Sequence, residues 1–142
     1  MPTHRVPHSS DARGVTPQQV LARSGPRLQL EIRALRRDWA GSPVTVWALI
    51  DTGAAESCID EALAGTLGLK LIDWSGMTGI GGPAEHPVYM AELRAPALAW
   101  SLKDRLYGVR IDGEPPVILG RDFLASCVLI YDGPGGSITI CA

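Results

Sequence analysis

In VWALIDTGAAESCI, residues 46–59, a single carboxylate, Asp51, closes an almost unbroken apolar run and is followed by the turn residues Thr52 and Gly53. An acid in that setting is costly to desolvate unless it is hydrogen-bonded or shares a proton with a second group. The tripeptide Asp-Thr-Gly alone is weak: it arises by chance in roughly a few per cent of chains of this length, and an Asx-type turn ending a strand accounts for it without chemistry. Its context gives it weight, because apolar residues bracket it on both sides and it occurs only once.

Two further stretches bear on chemistry. GMTGIGGP, residues 76–83, sets Gly76, Gly79, Gly81 and Gly82 around one apolar residue, Ile80, so backbone amides are left free at a pliable tip. GRDFL, residues 120–124, follows an apolar run. Read alone, the first is a flexible loop and the second a helix start that Asp122 stabilises locally while Arg121 lies along the surface. Cys58, Cys127 and Cys141 form no paired motif, and His4, His8 and His86 have no ligand spacing with them. Neither a metal nor a cofactor is expected, and the cysteines read as small buried side chains.

The 142 residues suit one domain, with 46% hydrophobic residues to fill its core. The 13 basic and 15 acidic residues leave a net charge of -2 and no basic run, which gives no footprint for nucleic acid or anionic lipid. The polar start MPTHRVPHSSDARG lacks a signal-peptide core, and no stretch approaches the ~20 apolar residues of a membrane helix. A cytoplasmic protein that engages neither nucleic acid nor membrane is expected.

The elements that must hold Asp51 are mostly strands. Residues 1–25 read as a loosely held arm or a removable pro-segment, with one helical signal where Thr16 caps and Pro17 starts a turn. Residues 26–142 form the domain. Leu28, Leu30 and Ile32 alternate with polar residues, RDWAGS (37–42) turns the chain, and PVTVWALI leads to the acid. AAESCI is predicted as a short strand. DEALAGTLGLK is predicted as a helix capped by Asp60 and ended by Gly68. LIDW and VYMAEL flank the glycine-rich tip as a hairpin, and two more pieces follow, APALAW with SL and then RLYGVRI. VILGRDFLASC, VLIY and SITIC close the chain. If Tyr131 pairs with Ser137 across DGPGG, Cys127 falls opposite Cys141, where reduced thiols are expected. The fold class is mostly β, a closed barrel or sandwich with a short helix after the Asp51 loop and another near the C-terminus.

With these pieces in order, a resemblance emerges. ALIDTGAAESCI resembles the active-site loop of aspartic proteases, MTGIGG (77–82) is similar to the flap tip of the retroviral type, and VILGRDFL (117–124) resembles the strand, glycine and helix start that close those enzymes. The match is to the retropepsin-like family over residues 27–141. The long C-terminal hairpin is more similar to its single-domain cellular and bacterial members than to the viral ones.

The resemblance implies an aspartic endopeptidase cleaving peptides at apolar sites. Two-domain relatives carry two such loops and this chain carries one, so the implied enzyme is a homodimer with one Asp51 from each copy. Thr52 is then expected to bond across the dimer axis, and Gly53 to let backbone approach substrate and acid. Ala54 stands where many relatives have a hydroxyl, so activity is expected to reach weakly acidic or neutral pH. Arg121 is expected to support the loop through Glu56 or a backbone carbonyl. Gly79, Ile80, Gly81 and Gly82 form the implied flap tip. Pro83 and Pro87 would shorten the flap's descending strand, and Trp74 would line substrate pockets while the other tryptophans serve core or rim. The alternative is a catalytically silent member that keeps fold and dimer to bind peptides or proteins.

Overall fold

The alternation in RLQLEIR is realised as strand β2 (Arg27–Arg33), whose Leu28, Leu30 and Ile32 are fully buried while Gln29 faces out. A computed structural model describes residues 3–7, 14–35, 43–79, 81–98 and 100–142. Trp39 with the turn at 37–42, His8 and Ile80 lie outside the described residues.

Strand β2 pairs antiparallel with β3 (Val44–Ile50), which runs into Asp51. The next strand, β4, covers only Cys58–Asp60. Residues 54–57, predicted as strand, are irregular because the carbonyls of Ala54 and Ala55 accept from the amides of Arg121 and Asp122 instead of from a ladder. Helix α2 (Glu61–Leu67) ends on Gly68 in the left-handed region. Its N-cap, Asp60, makes no side-chain cap; the carboxylate accepts from the Ile111 amide at 3.1 Å.

Strands β5 (Lys70–Gly79) and β6 (Gly82–Ala95) form the expected hairpin, with Gly79 paired to Gly82. Pro83 and Pro87 do not shorten it: they pair with Thr78 and Trp74. The two prolines are four residues apart, so their missing N–H groups lie on one side of the strand. That side can be left bare because β7 pairs with β6 only from Val88 onward. After a 3₁₀ turn at Pro96–Leu98, β7 (Trp100–Val109) runs unbroken where two separate pieces were expected.

Strand β8 (Val117–Leu119) lies between β3 and β4, parallel to the former. The strand order is β2-β3-β8-β4-β7-β6-β5, and Glu31–Arg33 of β2 also pairs with Glu92–Arg94 of β6. That last pairing closes six of the strands into a barrel and leaves β5 at its edge, paired only with β6. The seam carries the cross-strand ion pairs Arg33–Glu92 at 2.8 Å and Arg94–Glu31 at 3.7 Å.

Helix α3 (Arg121–Leu124) leads to a second sheet, of order β1-β10-β9, built from β1 (Thr3–Pro7), β9 (Val128–Asp132) and β10 (Ser137–Cys141). Within residues 1–25, expected as an arm, Thr3–Pro7 pairs with β10 in this sheet. Beyond β1 the same segment supplies helix α1 (Pro17–Ser24), closed by a capping box of Thr16 and Gln19. Eight residues are too few for a stable isolated helix, so its docking decides. Leu21 is fully buried, which contributes about 1.5–3 kcal/mol. The Pro17 backbone also lies 2.6 Å from where a Cβ on Gly136 would sit, a contact only glycine permits.

The terminal hairpin differs from expectation by one residue. Asp132 pairs with Ser137 and Val128 with Cys141, because the loop holds four residues and Asp132 Oδ1 accepts from the Gly135 amide at 2.8 Å. A one-residue slip turns side chains to opposite faces, so Cys127 does not face Cys141, and all three cysteines are free thiols. The fold is mostly β, with a short helix after the Asp51 loop and another near the C-terminus, as the sequence indicated.

Candidate active site

Asp51 is half-buried at the end of β3. Its amide donates to the Leu119 carbonyl at 2.9 Å, and its carboxylate Oδ1 accepts from the Gly53 amide at 2.8 Å. The turn that follows is closed by Ala54 N donating to Asp51 O at 3.2 Å, and it is fastened as well to residues 119–122. Arg121 N donates to Ala54 O at 2.9 Å, Asp122 N to Ala55 O at 3.2 Å, and Arg121 Nη1 to Thr52 O at 2.9 Å. Arg121 thus uses a backbone carbonyl, one of the two partners the sequence left open, and not Glu56. The Thr52 side chain makes no hydrogen bond to any described residue of the same chain.

Ser57 ends the loop. It is 3% exposed, and its hydroxyl donates to Asp122 Oδ1 at 2.7 Å while accepting from the Gly120 amide at 2.9 Å. Its own amide donates to Asp122 Oδ2 at 2.9 Å. Sequence reasoning gave Asp122 only a local helical role and Ser57 none. The signal was a polar residue directly before the apolar Cys58 and Ile59, which shows only that some partner is needed.

Cross-strand register places one row of side chains beside this loop. Leu49 pairs with Ile118, Ile118 with Cys58, Cys58 with Tyr107, and Tyr107 with Val88. All five share the face opposite the barrel core, and strand alternation from Leu49 brings Asp51 to that face. The row is apolar yet shielded: Cys58 is 7% and Val88 0% exposed. Burial, followed by the fields of Asp122, Glu56 and Asp51, pushes the Cys58 thiol up to about 11.

Val88 pairs in turn with Asp73, so alternation sends Ser75 and Met77 of β5 toward the row's side. Trp74, paired with Pro87, stands on the other side and is 58% exposed. The structure therefore does not bring Trp74 to the row. Gly79 and Gly82 form the hairpin's last pair, and Gly81 is exposed at the tip. The β5–β6 hairpin is tied to β7 by His86, whose Nδ1 lies 3.1 Å from the Gly108 carbonyl.

Among the described residues no three His, Cys, Asp or Glu side chains gather as a metal-binding group, and no helix is long and apolar enough to cross a membrane. The aspartyl protease family model matches residues 38–123, over half of the chain and spanning the Asp51 loop, the β5–β6 hairpin and β8. The chain belongs to the retropepsin-like aspartic protease family. Among solved structures it is similar to the EIAV protease complexed with the inhibitor HBY-793, at 25% identity over 70% of this chain and 85% of that one, with a TM-score of 0.53. A retropepsin-like aspartic protease from Rickettsia conorii shares the fold at 12% identity, covering 97% of this chain and 90% of that one, with a TM-score of 0.54. No curated protein matches in sequence.

Proposed function

We propose that this family member is an aspartic endopeptidase that works as a homodimer and cleaves peptide bonds flanked by apolar residues. The observation that carries the reading is the placement of Asp51: a carboxylate oriented by the Gly53 amide, on a loop fastened to residues 119–122, beside the row Leu49, Ile118, Cys58, Tyr107 and Val88. An extended peptide laid along that row would gain main-chain bonds from strand-like pairing and selectivity from apolar contacts.

In the proposed dimer the two Asp51 carboxylates meet near the two-fold axis. So close together they cannot both ionise cheaply, and they share one proton. The ionised member takes a proton from a water held between them, and the protonated member polarises the scissile carbonyl. The roles then reverse as a proton passes to the leaving amine. Thr52, with no side-chain hydrogen bond within its own chain among the described residues, is free to bond across the axis. Gly79, Ile80, Gly81 and Gly82 close over substrate as the flap tip. Ala54 adds no hydroxyl to the loop, so activity is expected at weakly acidic to neutral pH.

One surface supports association of two copies. Strand β9 pairs only with β10 among the described residues, and its Val128, Ile130 and Tyr131 are 52%, 55% and 50% exposed. An apolar edge strand without lysine, proline or a bulge is rarely left bare. The test is incubation of wild type and Asp51→Asn with a diverse peptide library. Cleavage by wild type alone supports the reading, cleavage by both refutes it, and cleavage by neither favours a binding module.

A further inference from the structure

The carboxylate of Asp122 is engaged on both oxygens, and only part of that engagement is local. Oδ1 accepts from the Phe123 amide at 2.7 Å, the bond expected of an acid at a helix start. The rest goes to one distant residue: Ser57 N to Oδ2 at 2.9 Å and Ser57 Oγ to Oδ1 at 2.7 Å. Stabilising a helix of four residues does not require a partner 65 positions away.

The continuation is informative. While donating to Asp122, the Ser57 hydroxyl accepts from Gly120 N at 2.9 Å. That N–H belongs to the peptide group whose carbonyl is Leu119 O, and Leu119 O accepts from Asp51 N at 2.9 Å. One planar peptide unit is thus held at its N–H by Ser57 and holds Asp51 by its C=O. Because the unit is rigid, tilting it at one end moves the other. The bonds run head to tail, Asp51 to Leu119–Gly120 to Ser57 to Asp122, ending on a charge, an arrangement in which each bond polarises the next.

We propose that Ser57 and Asp122 are positioning residues for Asp51, acting through the Leu119–Gly120 peptide. The inference rests on the peptidase reading for its kinetic consequence, though not for its structural one. Neither residue touches substrate. Their effect is to set where the Asp51 amide, and with it the carboxylate, stands relative to the axis at which its twin must meet it.

The test uses the full chain with Asp122→Asn, Ser57→Ala and Ser57→Thr. The isosteric Asp122→Asn removes the charge that ends the relay and turns an N–H toward one of the two Ser57 donors, while conserving volume. Ser57→Ala removes the hydroxyl and leaves the Gly120 amide without its acceptor, whereas Ser57→Thr keeps both bonds. Displacements near 1 Å cost roughly 10- to 100-fold in turnover. Asp122→Asn and Ser57→Ala should therefore lower kcat by about that factor with KM changed less than about twofold, the signature of lost transition-state geometry, and Ser57→Thr should recover most of it. The second readout is amide hydrogen exchange followed by NMR. Exchange at Asp51 should accelerate in both disruptive variants while β2 and β6 amides keep their protection. A folded Asp122→Asn with wild-type kcat and unchanged exchange at Asp51 would overturn the proposal. If wild type cleaves nothing, the peptidase reading falls, and the exchange measurement still decides the positioning claim.

Discussion

Substituting Gly120 with alanine tests whether the Asp51 loop is templated on the segment that follows β8. A Cβ at Gly120 would sit 2.8 Å from both the carbonyl carbon and oxygen of Glu56 and 3.0 Å from Ala54 O, whereas ordinary contact begins at 3.4 Å. All three are backbone atoms, so no side-chain rotation relieves the clash, and the loop must retreat by roughly half an ångström. Overpacking of that kind costs about 1–3 kcal/mol. For a domain of this size each kcal/mol lowers Tm by roughly 3–4 °C, so the expected drop is roughly 3–12 °C. The same retreat pulls on the Ala54 and Ala55 carbonyls that hold Arg121 and Asp122, and kcat should fall by roughly 10- to 100-fold. The control is Gly65→Ala on the exposed face of α2, where nothing lies within 4 Å of the new methyl. There the change should be neutral or stabilising by up to about 1 kcal/mol. Scanning calorimetry and steady-state kinetics on the three proteins give the answer. A Gly120→Ala protein with wild-type Tm and kcat would refute the templating argument.

Other outcomes follow from the same geometry. Arg121→Leu removes a charged donor from Thr52 O at an exposed site, so a modest loss of about 0.5–1.5 kcal/mol is expected by denaturant titration, with a fall in kcat. The Cys58 thiol is raised from 9.0 to about 11, so its contribution to stability is fully present below pH 9 and is lost as pH climbs through about 11. Thermal melts of wild type across that window should fall more steeply than those of Cys58→Val, and parallel curves would contradict the assignment. Placing a charge on the open edge of β9 with Ile130→Lys should shift sedimentation from dimer toward monomer while far-UV circular dichroism is unchanged.

Much of this molecule was legible in its residues, and the boundary of legibility has a physical meaning. Period-2 alternation in β2 and the apolar run of β3 encode their own burial, and Asp51 with its two turn residues declares itself. Gly68 ends its helix for reasons contained within one turn of chain. Contacts joining distant segments were not legible. Nothing near Ser57 shows that Asp122 will take its hydroxyl, and nothing in TPQQVLARS shows that Leu21 will find a buried site. The terminal hairpin was misread by one residue because Asp132 joins the ladder instead of the turn. Trp74 was read from its nearness to the glycine-rich tip, and only the register with Pro87 shows which face of the hairpin it takes.

The central claim is that two copies of the chain each contribute one Asp51 to a single site. Mixing wild type with Asp51→Asn at fixed total concentration, and allowing subunits to exchange, tests it directly. If the catalytic unit needs both carboxylates, an equal mixture should retain about a quarter of wild-type activity, since only that fraction of dimers carries two intact acids. A value near one half would show that each chain works on its own acid, and one near three quarters that a single Asp51 per dimer suffices; either would contradict the account.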